Sequence, residues 1–143
     1  MELGAKTFEE HVVMSDKSTT TIKGGQLIFH AKDFSLRIIR LVESLPNSRT
    51  ANVIGKQLLR SATSVGANYR AARRGRSNAE FCAKLGIVEE EADESVYWRE
   101  LLAESGIVQP KLLSNLLNEA NEIVAMIVAS IRTARSKNSR KSQ

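Results

Sequence analysis

Lys56, Arg60, Arg70 and Arg74 recur at helical spacing within residues 52–75. At about 100° per residue they fall in one narrow stripe, shared only with Thr63 and Ala67. Residues 48–76 hold seven basic side chains (Arg49, Lys56, Arg60, Arg70, Arg73, Arg74 and Arg76) and no acid. The chemistry open to such a row is phosphate contact, which gives affinity without reading base sequence. A helix that needed only a soluble back would mix signs, because like charges at i,i+4, such as Arg70 and Arg74, cost a few tenths of a kcal/mol. The same residues also fit a solvated face, or one neutralised by an acidic neighbour.

Glu89-Glu90-Glu91-Ala92-Asp93-Glu94 invites a metal reading. Di-iron bundles need Glu-x-x-His motifs facing the core, and neither His11 nor His30 follows a glutamate by three. Consecutive acids on a helix point in different directions, so solvated or ion-paired carboxylates are the better reading. Gly75-Arg76-Ser77 resembles an anion nest at a helix N-terminus, but a helix–helix turn explains it fully. The single cysteine, Cys82, excludes an internal disulfide and reads as a small packing residue. No nucleophile elbow, Ser/His/Asp set or Gly-rich phosphate loop is present. Tyr69, Tyr97 and Trp98 could stack bases, yet each also fits a packing role. The expectation is a protein that is not an enzyme, with no cofactor and no metal.

These residues must be positioned by helices. The chain has 143 residues, net charge +5, two prolines and few aromatics, the profile of one helical domain with a real core. A first helix is predicted from about Gln26, with Leu27, Ala31, Phe34, Ile38, Leu41, Val42 and Leu45 on one face, ending at Leu45-Pro46. Arg37 and Arg40 are placed on its outer side, where they would extend the basic surface. The second helix is capped near residues 48–50 and buries Ile54, Leu58, Ala62, Val65, Tyr69 and Ala72. Gly55 and Gly66 inside it imply a close approach to the backbone. Gly75 is its expected left-handed C′ residue.

The third helix opens with a capping box, Ser77-Asn78-Ala79-Glu80, and should stop at Gly106. Phe81, Leu85, Val88, Ala92 and Val96 form its core stripe. Ile87, Trp98 and Leu101 point well away from that stripe and are read as an oligomer interface. Eight acids against Lys84 and Arg99 make this helix the acidic counterpart of the second. The fourth helix begins at Pro110 and carries the cleanest apolar stripe, from Leu113 to Ile131. Residues 1–25 read as a disordered leader and 136–143 as a basic disordered tail that offers a second polyanion contact. Residues 26–135 then form an all-α, antiparallel up-down-up-down four-helix bundle. A helix-turn-helix lacks its short reading helix here. No apolar run approaches the roughly 20 residues needed to span a bilayer, and no secretory signal opens the chain, so cytoplasm without a membrane partner is expected.

The segment Gln57-Leu58-Leu59-Arg60-Ser61-Ala62-Thr63-Ser64-Val65-Gly66-Ala67-Asn68-Tyr69-Arg70 resembles the signature of the four-helix-bundle family named after 23S ribosomal RNA intervening-sequence proteins. Phe34 and Leu45-Pro46 upstream are similar to that family. So are Arg76-Ser77-x-x-Glu80-Phe81, Glu91-Ala92-x-Glu94 and Tyr97-Trp98 downstream. The likeness covers about residues 26–131. Related sequences often carry an acid after Tyr-Arg, where this chain has Ala71, so its second helix is more basic still. The resemblance implies a cytosolic bundle assembled into a ring, typically a homopentamer. It also implies a distant relation to the accessory proteins of diversity-generating retroelements, which bind nucleic acid and a reverse transcriptase.

Two functions follow as expectations. One is an oligomeric nucleic-acid-binding accessory protein, RNA before DNA, with Lys56, Arg60, Arg70, Arg73, Arg74 and Arg76 on phosphates. The other is a protein-interaction scaffold whose basic second helix pairs with the acidic third helix of a neighbour. The destination of the arginines discriminates between them.

Overall fold

Sequence-local signals set the ends of the four helices. A computed structural model describes residues 24–141; residues 1–23 of the expected leader, with His11, lie outside the described residues, and its last two residues, Gly24 and Gly25, open the first helix. The helices are α1 (Gly24–Glu43), α2 (Arg49–Arg73), α3 (Asn78–Glu104) and α4 (Pro110–Lys141), with no strand among the described residues. Ser48 caps α2, its hydroxyl accepting from the Ala51 N–H at 3.2 Å. Ser77 caps α3 by accepting from the Glu80 N–H at 3.1 Å. The Glu80 carboxylate reaches back to the Arg76 N–H, one residue before the usual capping-box target. Gly106, at φ 77°, ends α3 as expected.

Two boundaries differ from the sequence pattern. Gly75 has no left-handed backbone; the one positive-φ glycine among the described residues is Gly106. A Cβ at Gly75 would stand 3.0 Å from the Ala72 carbonyl oxygen and 3.4 Å from the Phe81 nitrogen, so close approach explains the glycine. Helix α4 continues through residues 136–141, where a disordered tail was expected. Lys137, Arg140 and Lys141 are good helix formers and extend the helix of the preceding Ala134-Arg135 turn.

The core is drawn from all four helices: Phe34 and Ile38, Leu58 and Val65, Leu85 and Val88, Ile123 and Ile127 are each at most 1% exposed. Burying one such side chain contributes about 1.5–3 kcal/mol. Small residues let α1 and α2 approach. Gly66 faces Ala31, Gly55 faces Leu45 and Val42, and Ser35 donates to the carbonyls of both Ala31 and Ala62. The stripe on α3 holds at Leu85, Val88 and Ala92, but the fully buried row then runs through Ser95, Arg99 and Leu102 rather than Val96. By length and composition alone, residues 110–137 of α4 would suffice to cross a membrane. Leu113, Ile123, Ile127 and Ile131 of that helix are buried in the bundle core.

Candidate nucleic-acid interface

Lys56, Arg70, Arg73, Arg74 and Arg76 are exposed, and none makes an ion pair among the described residues. Arg60 is different. Its guanidinium spans two acids one turn apart on α3, reaching Glu91 at 3.2 Å and bonding Glu94 through Nη2. Glu94 also accepts from Trp98 Nε1 at 3.0 Å. Arg60 and then Trp98 hold the Glu94 carboxyl below its usual range, and Glu94 and Glu91 raise Arg60 in return. Positions 91, 94 and 98 share one face of a helix, so this contact follows from the i, i+3, i+7 row. The structure thus separates Arg60, charge-compensated at the α2–α3 seam, from five unpaired cations.

A second basic group joins the end of α2. Asn78 Nδ2 donates to the Ala134 carbonyl at 2.8 Å, tying the α2–α3 turn to the last turns of α4. Arg132, Arg135, Lys137 and Arg140 are exposed there. In residues 66–84 and 128–141 the only acid is Glu80. Its carboxylate is occupied by the Arg76 N–H and by Lys84 at 3.4 Å, and those contacts, in that order, lower its pKa. In the Gly75-Arg76-Ser77 turn the Gly75 N–H donates to the Ala72 carbonyl and the Arg76 N–H to Glu80, while the Glu80 N–H donates to Ser77, which favours the turn over an anion nest.

The three residues read as an oligomer interface stand on α3 in different states. Ile87 is 45% exposed, while Trp98 and Leu101 are half-buried. Trp98 packs against the core cluster and meets Tyr97 edge-on at 5.1 Å. Further exposed apolar side chains went unnoticed: Phe29, Leu36 and Ile39 on the outer side of α1, and Val53 on α2. Their spacing opposite the Phe34–Ile38 stripe was the available signal.

A family model for the 23S rRNA-intervening sequence protein matches residues 26–129. The chain belongs to that family. A crystal structure of a protein of unknown function from the S23 ribosomal protein family of Bacteroides thetaiotaomicron is 34% identical to it. That structure covers 78% of this chain and 99% of its own, with a TM-score of 0.73. No curated protein matches. The α2 arginines lie inside the segment matched by the intervening-sequence protein family, and the basic end of α4 lies beyond it.

Two buried charges were missed entirely. Arg99 is 1% exposed; its Nε donates to the Ser95 carbonyl at 3.2 Å, and Nη1 and Nη2 have no partner. Burial lowers it to about 10, against the pull of Glu100 and Glu119. Glu119, 2% exposed, pairs with Arg37 and is raised to about 7, chiefly by burial. Arg37 was expected on the outer side of α1; it turns instead toward α4, with its side chain 34% exposed. The signal for Arg99 was its place in the Leu85–Ala92–Arg99 row, seven residues apart. Among the described residues, no group of three or more His, Cys, Asp or Glu side chains could hold a metal ion.

Proposed function

We propose that this intervening-sequence family member is a non-enzymatic, cytoplasmic homo-oligomer that binds nucleic acid through the basic end of its bundle. One observation carries the reading: Arg70, Arg73, Arg74 and Arg76 are exposed and unpaired beside the basic end of α4, with a single, already occupied acid among them. Lys56 extends the surface along α2, while Arg60 serves the α2–α3 seam. An up-down-up-down bundle repeated in a ring, a pentamer by family resemblance, would present several such ends to one strand and raise avidity where the strand spans them. Phosphate contacts do not tell RNA from DNA; the preference for RNA, and a reverse transcriptase as protein partner, rest on the resemblance.

The scaffold remains a second reading because Glu90, Asp93 and Glu100 on the exposed side of α3 make no ion pair among the described residues. The test is binding of a fluorescent structured RNA and a matched DNA duplex across a salt series, with oligomer mass followed in parallel. Wild type should bind tightly and weaken with salt, by a slope of about 0.7 to 0.9 per phosphate contact. Arg70→Glu/Arg74→Glu should lose binding and flatten the slope while its mass is unchanged. An intact oligomer that binds nothing at low salt would overturn the proposal. Loss of the oligomer in the mutant would favour the scaffold.

A further inference from the structure

Two acids and two arginines from three helices meet inside the bundle. Asp33 and Arg37 stand one turn apart on α1, Arg99 on α3 and Glu119 on α4. Arg99 and Glu119 are almost wholly enclosed. Arg37 Nη1 donates to Glu119 Oε2. Asp33 faces the same carboxyl within hydrogen-bonding range. Arg99 acts on Glu119 through space without bonding it. On its own helix, Glu122 follows three residues on, its pKa raised by burial.

A carboxyl in this position has two arrangements. Ionised, it accepts from Arg37 and is repelled by Asp33. Protonated, it loses its attraction for Arg37 and gains an O–H for which the Asp33 carboxylate is an acceptor. We propose that Glu119 is a proton-operated partner switch, holding Arg37 across the α1–α4 seam when ionised and donating to Asp33 and releasing Arg37 when protonated. The exchange balances: one proton is taken up from solvent onto Glu119, one N–H···O bond is lost and one O–H···O bond forms. The four-residue cluster passes from neutral to a charge of plus one. Burial and Asp33 push Glu119 up to about 7 against Arg37, which sets the exchange near neutral pH. The released Arg37 is one-third exposed, so proton uptake inside the bundle appears as positive charge on the flank of α1.

Nuclear magnetic resonance of the full chain, carboxyl-labelled and titrated from about pH 4 to 9, tests this. The Glu119 carboxyl should titrate near neutrality, and the Arg37 side-chain N–H signal should follow with the same midpoint. Asp33→Asn should move that midpoint down and Arg37→Met should move it up, each by about one pH unit. Glu119→Gln, a neutral mimic of the same shape, should abolish the Arg37 transition. A Glu119 carboxyl that titrates in the ordinary carboxylate range would overturn the switch. So would an Arg37 transition that survives in Glu119→Gln, because another group would then drive it.

Discussion

Arg99 is the largest side chain that the bundle encloses completely, and four of its five N–H donors lie on the two nitrogens without a partner. A buried cation in that state costs free energy unless a charge nearby offsets it. Glu119 offsets part of the cost through space and Ser95 accepts one bond. Arg99→Met keeps the bulk and removes the unpartnered charge but also takes from Glu119 its through-space neighbour, so it should raise the thermal midpoint only modestly, by a few degrees. A lower midpoint in calorimetry would mean that the guanidinium is better compensated than its neighbours suggest. Arg99 had a signal in its seven-residue row with Leu85 and Ala92, but the pairing of Glu119 with Arg37 had none. Periodicity marks which side of a helix faces inward, but Arg37 and Glu119 are 82 residues apart, and only the assembled bundle brings them together.

At the scale of the helix, local chemistry carried most of the information. Ser48, Ser77, Pro110 and Gly106 act on backbone groups within a few residues of themselves, so they announce helix ends without knowledge of the fold. Gly75 departs from the expectation because its constraint is the approach of the Ala72 carbonyl and then of the Phe81 backbone across a turn, not its own φ. The two glycines inside α2 separate the same way. A Cβ at Gly66 would sit 3.6 Å from Ala31, an ordinary contact, whereas one at Gly55 would stand 2.8 Å from Leu45 Cδ1. Gly66→Ala should therefore stabilise the protein by up to about 1 kcal/mol in urea unfolding. Gly55→Ala should gain nothing, because Leu45 must move first. Destabilisation by Gly66→Ala would show that α1 and α2 pack closer than these distances allow.

For the whole molecule, the four-helix composition and the all-helical class were readable from apolar spacing alone, as was the basic row on α2. The gathering of two basic segments at one end was not, because it depends on the Asn78–Ala134 contact between residues 56 apart. The fate of Arg60 was half-legible. Opposed charge on the second and third helices was plain, and whether it closed within one chain was left open; Glu91 and Glu94 close it. Trp98→Ala should lower the oligomeric mass in light scattering more than it lowers helicity by circular dichroism. An unchanged mass would remove Trp98 from the proposed subunit contact.

Trp98 also makes the molecule its own optical probe. It is the only tryptophan in the chain, so no second indole contributes to its emission. Its indole N–H is bonded to a carboxylate that Arg60 also holds, and the Tyr97 ring at 5.1 Å is near enough to pass excitation to it. Any event that opens the α2–α3 seam, covers the half-buried ring or withdraws Glu94 changes the polarity around the indole. Emission wavelength and anisotropy therefore offer a readout of the proposed assembly and nucleic-acid binding in real time, without a label and on unmodified protein.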